Sequence, residues 1–281
     1  MDINEIFSKS SRSSANFSGK AVAVFTSLAS SPLIYGLEKE SAAYRLIKDT
    51  PLSCTKRLKE GEVHLALIPS IDYAQGKGSW LVVPDLCISY KGTARTACLF
   101  FNKNIHDFST IAIDKTARSE EILLRILLNE RYQNNPEYIY MDADLDLMLA
   151  KADAALITGD AALYWQQNNL HFIDLGEEWL DFSGLPFVSS FWCGHELMMN
   201  LYDVERVQAS FAFGEERKQA ICEEFAKKHP LPVSDCLVLL DQHIDFNFGE
   251  EQQEGLKELY RYAFYLGFID HIPDLHFWPG D

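Results

Sequence analysis

Nowhere does the chain run to the roughly 20 consecutive apolar residues that a bilayer-spanning helix needs. Its opening stretch, MDINEIFSKSSRSSANFSGK, is polar and holds no apolar signal core. The expectation is a soluble cytoplasmic protein whose Ser-rich residues 1–18 are loose. The six cysteines (Cys54, Cys87, Cys98, Cys193, Cys222 and Cys236) form no CxxC pair. In a chain too long to need staples they read as reduced, mostly buried thiols. The eight histidines show neither HxxxH nor HxxE spacing, so no metal site is expected. Positive charge is scarce: 25 Lys and Arg face 41 Asp and Glu, a net charge of −16. Such a surface repels nucleic acid and anionic membranes. An anionic ligand therefore needs a locally favourable seat inside a repulsive shell. No internal repeat is present.

What is present is ordinary globular material, 47% hydrophobic and 23% charged. A length of 281 residues suits one large domain or two lobes of about 100–150 residues each. AVAVFTS (21–27), AYRLIKD (43–49) and VHLALIPS (63–70) read as strands, with short helices in SPLIYGLEKE and LSCTKRLKEGE between them. SWLVVPDLCISYKG, ARTACLFFNKN and TIAIDKTA continue as strands. SEEILLRILLNERY (119–132) is amphipathic, with Ile122, Leu123, Ile126 and Leu127 at helical spacing, Ser119 as N-cap, and Glu120 and Glu121 in the first turn. EYIYM, DLDLMLAKAD, AALITG and DAALYWQQN then alternate strand and helix. The last strand is PFVSSFWCG (186–194), and the remainder turns helical. The alternation implies an α/β fold with largely parallel sheets. Apolar segments near 95–103 and 186–193 flank a compact block, as two chain crossings between two lobes would. Lobe 1 is then 1–97 with 194–281, and lobe 2 is 98–193. A cleft between lobes, beyond the carboxyl ends of the strands, is the default ligand site.

Single residues carry more than one reading. TSLASSPL (26–33) closes a strand and opens a helix, so its hydroxyls either face a ligand or belong to a turn capped by Ser30 or Ser31. Arg118 either holds a ligand carboxylate or pairs with Glu120 or Glu121. Asp160 caps a helix or closes over the ligand, with Gly159 allowing close backbone approach. Glu177 and Glu178 read as a solvated pair beside a packing Trp179. His64 reads as a satisfied core histidine and His195 as a residue near the second crossing. The acidic stretch NFGEEQQEGLKELYRYAFYLGF reads as an amphipathic helix packed on the first lobe.

Seven segments in order, PLIYGLE, ALIPSIDYA, VPDLCISYKG, LLRILLNERY, ADAALITGDAAL, DLGEEWLDFSGLPFV and IDFNFGEEQQEGL, resemble the chorismate dehydratases of the futalosine route to menaquinone, from about Ser27 to Ile269. The resemblance implies a two-lobed, periplasmic-binding-protein-like (type II) α/β fold. It also implies a hydro-lyase that needs no cofactor and takes a small dicarboxylate. Water is eliminated from chorismate, the ring becomes aromatic, and the substrate's own side-chain carboxylate helps to remove the proton. The absence of an evident His or Cys nucleophile agrees with that chemistry. Carried onto this chain, Ser27, Ser30 and Thr96 orient the ring and the leaving hydroxyl. Ser31, Ser70, Tyr90, Gly92, Thr116, Arg118, Ser119, Gly159 and Asp160 line the substrate seat.

This chain departs from the family pattern at the site. Ala29 stands where the family has Asn, and Tyr90 where it has a small serine. Ala117 and Glu120 replace hydroxyls in a run that otherwise survives as Thr116, Arg118 and Ser119. Two other expectations follow: a non-catalytic small-anion binder on the same fold, or the sister dihydroxynaphthoate synthase, whose motifs fit this chain less well.

Overall fold

The structure is a computed structural model that describes residues 20–39, 44–76, 80–166 and 170–278. The loose segment expected at 1–18 lies outside the described residues. In chain order the first elements are β1 (Ala21–Val24), α1 (Ser31–Lys39), β2 (Arg45–Lys48), α2 (Pro51–Lys59), β3 (Leu65–Pro69), α3 (Ser70–Gln75) and β4 (Trp80–Tyr90). A second unit follows: β5 (Ala97–Phe101), β6 (Thr110–Asp114), α4 (Ser119–Glu130), β7 (Glu137–Met141), α5 (Leu145–Leu149), β8 (Ala154–Thr158), α6 (Gly159–Trp165), β9 (His171–Asp174) and α7 (Leu175–Ser183). The chain returns through β10 (Phe187–His195), α8 (Leu201–Glu215), α9 (Lys218–Ala226), α10 (Val233–Val238), β11 (Asp245–Phe248) and α11 (Glu250–Tyr265).

Two sheets result, ordered β11-β4-β10-β3-β1-β2 and β7-β6-β8-β5-β9. The α/β class and the two-lobed, periplasmic-binding-protein-like architecture hold. The sheets, however, are mixed rather than largely parallel. β1 pairs in parallel with β2 and β3, and β6 with β7 and β8. β10 and β11 in the first sheet and β5 in the second run antiparallel to their neighbours. Strands that arrive from the opposite lobe enter against the direction of the local βα units, which composition does not reveal.

The second crossing also lies elsewhere than expected. The expected lobe 2 runs to residue 193, but Ser190–Gly194 pair with Pro69–Leu65 of β3, and Phe187–His195 pair with β4. The return therefore falls between Ser183 and Phe187, and residues 187–193 belong to the first lobe. Their continuous apolar character reflects a place in the middle of a sheet covered on both faces. The first crossing runs between Tyr90 and Ala97.

Local chemistry explains the helix starts. Thr50 caps α2 by accepting from the Ser53 amide at 3.3 Å, with Pro51 at the first helical position. α4 buries Ile122, Leu123, Ile126 and Leu127 as its spacing demands. α11 packs on β10, β11 and α3 of the first lobe and also against α4 of the second. Among the described residues no helix is long and apolar enough to cross a membrane.

α1 and α8 pack closely because two positions lack a side chain. A Cβ at Gly36 would sit 2.6 Å from the Ser210 Cα, and one at Gly214 would overlap the Pro32 carbonyl. The Ser210 hydroxyl uses that proximity, donating to the Leu33 carbonyl at 2.9 Å and accepting from the Leu37 amide at 3.0 Å. Gly214→Ala should therefore cost about 1–3 kcal/mol through overpacking. Urea unfolding measures this, and an unchanged midpoint would contradict the packing described.

Candidate functional site

Between the lobes lies a cavity of about 530 Å³, within the usual size of small-molecule sites. Its first-lobe wall comes from the ends of parallel strands: Phe25, Thr26, Ser27 and Ala29 after β1, Lys48 at the end of β2 with Asp49, Thr50 and Pro51 after it, and Pro69 at the end of β3. Ile88 and Tyr90 on β4 and Ser189 and Ser190 on β10 complete it. The second lobe contributes Thr96, Thr116, Arg118 and Glu120, with Thr158, Gly159 and Asp160 at the end of β8. Strand carboxyl ends from both lobes thus converge on one space.

The hydroxyl-rich loop after β1 divides its duties. Ser30 is fully buried. Its Oγ accepts from the Ser27 amide at 2.9 Å and donates to the Phe25 carbonyl at 3.0 Å. Ser31 Oγ donates to the Ser27 carbonyl at 2.7 Å. Neither lines the cavity; both hold the loop in shape. Ser27 and Ala29 remain at the wall. The loop is tied across the gap, since the Leu28 amide donates to Asp160 Oδ1 at 2.8 Å. Gly159 adopts φ +62°, left-handed backbone that disfavours a side chain, and its amide donates to the Thr96 carbonyl at 2.8 Å. Asp160 is thus a cross-lobe tie.

Tyr90 forms a wall without filling the space. Its ring stacks on Phe187 with centroids 6.5 Å apart, and its Oη accepts from Thr96 Oγ1 at 2.8 Å. Thr116 and Thr158 are both bonded to Asp114: the Thr116 hydroxyl donates to Oδ1 at 2.8 Å and the Thr158 hydroxyl to Oδ2 at 2.9 Å.

The start of α4 differs most from expectation. Ser119 is not the N-cap but a fully buried bridge between lobes. Its Oγ donates to the Ser189 carbonyl at 2.9 Å, accepts from the Ile71 amide at 3.2 Å and lies 3.0 Å from Ser70 Oγ. Ser70 in turn donates to the Val188 carbonyl at 2.7 Å. Ser70 and Ser119 therefore lie behind the cavity wall, fastening it. Arg118 lines the cavity and pairs with neither Glu120 nor Glu121 through its guanidinium. Nε and Nη2 reach Asp72 Oδ1 at 3.0 and 2.6 Å. Asp72 is 2% exposed, and its other oxygen accepts from Thr55 Oγ1 at 2.7 Å. Nη1 of Arg118 makes no hydrogen bond among the described residues.

Glu120 folds back over the helix start. Oε1 accepts from Ser189 Oγ at 2.6 Å and Oε2 from the Arg118 amide at 3.4 Å. Burial pushes its carboxyl up from the ordinary value, against the Ser189 hydroxyl and the Glu120 and Arg118 amides, which pull it down. Burial likewise raises Asp160, opposed by the Leu28 amide and by His229. Gly92 stays outside the cavity, in the first crossing at φ +108°. His64 and His195 do not line the cavity either, and His64 Nδ1 is buried with no partner among the described residues. Trp179 is buried, Glu177 accepts from Thr93 Oγ1, and Glu178 meets the Tyr132 hydroxyl and Arg131.

Sequence reasoning passed over Lys48 to Pro51, Thr158, Ser189 and Ser190. The first group ends a strand as TSLASS does. The serine pair was visible as two hydroxyls inside the apolar run FVSSFW.

Two α/β lobes joined by two crossings around a hydroxyl-lined gap define a periplasmic-binding-protein-like protein. The chain belongs to the menaquinone biosynthesis family, whose model matches residues 21–265. Among solved structures, it is similar to protein AF1704 from Archaeoglobus fulgidus at 16% identity and TM-score 0.75, covering 90% of this chain and 100% of that one. The periplasmic aliphatic sulphonate binding protein SsuA from Escherichia coli matches at 13% identity and TM-score 0.67, over 94% and 93% of the two chains. The Candida albicans CA3427 gene product, described as having the generic periplasmic binding protein fold, matches at 12% identity and TM-score 0.65, over 94% and 98%. Likeness at such identities speaks for fold alone.

Arg118→Ala would leave Asp72 buried beside Thr55 alone. Because Arg118 is about a quarter exposed, the expected loss of stability is about 1–3 kcal/mol, the cost of leaving a buried polar group without its partner; an unchanged midpoint in denaturant titration would contradict the pairing. A second expectation concerns pH. A carboxyl whose folded pKa is raised contributes stability that is complete below its ordinary pKa and is lost as pH rises through the folded value. Asp160→Asn keeps an acceptor for the Leu28 amide but escapes that loss. Its melting temperature relative to the native chain should climb from acid to neutral pH, whereas a difference independent of pH would reject the raised carboxyl.

Proposed function

We propose that this chain is a chorismate dehydratase, removing water from chorismate to give the enolpyruvyl ether of benzoate within menaquinone biosynthesis. The carrying observation is an inter-lobe cavity of about 530 Å³ lined by hydroxyls, with one guanidinium at its wall, in a chain of that biosynthetic family. Family membership supplies the pathway; the dehydration itself is our reading.

The reaction asks little of a nucleophile. A ring hydroxyl departs, a neighbouring ring carbon gives up its proton, and aromatisation drives the step. The protein must hold a dianion in the reactive pose and stabilise charge as the hydroxyl leaves. Arg118, clamped on Asp72 by Nε and Nη2, offers its remaining Nη1 edge to one carboxylate. Ser27, Thr96 and Ser190 on facing walls orient the ring and its hydroxyl. Tyr90 and Ile88 supply apolar surface against the ring. The tie from Asp160 to the Leu28 amide holds the two walls together around the substrate.

A second reading has its own support. Asp72 neutralises Arg118, and Asp49, Glu120 and Asp160 bring three carboxyls to the wall. That combination suits a non-catalytic binder of a small, hydroxyl-rich molecule. One assay separates the two. Purified protein is mixed with chorismate, aromatisation is followed in the ultraviolet, and melting is recorded in parallel. Turnover is the expected result. Thermal stabilisation without turnover favours the binder, and silence in both removes chorismate as the ligand.

A further inference from the structure

Resting on the dehydratase reading, we propose that Glu120 is the acid of this site, delivering the proton with which the departing ring hydroxyl becomes water. The position is one where this chain departs from the hydroxyl run of its family resemblance. The geometry gives the departure a use.

Glu120 sits in the first turn of α4, yet its side chain returns to the cavity wall rather than to solvent. There Ser189 Oγ donates to Oε1 at 2.6 Å, while Oε2 accepts from the Arg118 amide at a long 3.4 Å. Oε2 is therefore the oxygen free to carry a proton into the cavity. Among the described residues no cation is paired with it. The guanidinium of Arg118, on the same helix start, is committed to Asp72 on α3. Lys48, after β2, is paired with Glu38 at 2.7 Å. The other ionisable residues beside it or on the cavity wall are acidic or neutral among the described residues: Asp49 after β2, Asp114 on β6, Asp160 on α6 and Tyr90 on β4. Burial and the Asp114 charge both raise the Glu120 carboxyl. A dianion entering the cavity raises it further, since like charge disfavours the ionised form. Substrate binding thus loads the acid that the reaction consumes.

The step balances without a co-reactant. Glu120 gives its proton to the hydroxyl oxygen, the C–O bond breaks and water forms. The neighbouring ring C–H bond yields its electron pair to the aromatic ring and its proton to the substrate's side-chain carboxylate. That proton then restores Glu120. Nothing is oxidised or reduced, and the substrate loses one water.

The test compares the native chain, Glu120→Gln and Ser189→Ala in chorismate turnover across pH, with the product's binding and each melting temperature measured alongside. Glu120→Gln keeps both neighbouring contacts within reach of an amide, so its melting temperature should not fall. Its kcat should drop about 100-fold or more, the ordinary worth of a general acid, with no weaker product binding, and the native decline of kcat at high pH should vanish. Ser189→Ala removes a hydrogen bond that favours the ionised carboxylate, so the decline should move to higher pH. An active native chain whose Glu120→Gln variant stays within about tenfold in kcat, or whose decline is unmoved in both variants, overturns Glu120 as the acid while leaving the dehydratase reading intact. A native chain with no turnover overturns both.

Discussion

Three consecutive residues, Arg118, Ser119 and Glu120, nail a helix of one lobe to the other, and the width of the cleft depends on them. Together they grip two first-lobe elements: Arg118 reaches Asp72 on α3, Ser119 the Ile71 amide on α3 and the Ser189 carbonyl on β10, and Glu120 the Ser189 hydroxyl. Hydrogen bonds of this kind are costly to leave unmade when buried. The start of α4 is consequently held in place without a conventional side-chain cap, and the cavity forms between this fastening and the tie from Asp160 to Leu28. Tyr260 adds support from α11, donating to the Ser70 carbonyl at 2.6 Å.

The same fastening settles the electrostatics. A chain carrying −16 has no surplus of cations to spend on a ligand. Arg118 is bound to a buried carboxylate, which fixes its orientation and halves its usefulness as a bare charge. Glu120 and Asp160 face the gap with carboxyls that burial shifts toward the protonated form. A protonated carboxyl is a donor and repels no anion. The cavity can therefore accept negative charge in proportion to the protons it holds, and ligand and proton binding become linked.

Much of this was legible early. The 3.6-residue spacing of Ile122, Leu123, Ile126 and Leu127 marked α4, and the apolar runs of β1 and β3 marked buried strands. The position of TSLASS after β1 marked a wall of the cleft, because parallel strand ends converge there. The directions of individual hydroxyls were not legible. Ser27 lines the cavity while its hydroxyl bonds the Ser30 amide and hydroxyl, Ser30 and Ser31 lie behind it, and all three are spelled alike. Ser119 looked like a cap because its spacing to the helix is local; its actual partners lie about 50 and 70 residues away in the chain. β11, DFNF, was hidden by its shortness and acidic surroundings.

By itself the sequence determined most of the elements, the α/β class and the acidic shell, since periodicity, strand propensity and charge are properties of short stretches or of sums. Only the tertiary structure decided that β10 lies in the middle of the first sheet, that Arg118 answers to Asp72, and that Glu120 turns inward to Ser189. Those outcomes are choices among distant partners, and they are settled by which buried polar groups can be satisfied together once the lobes meet.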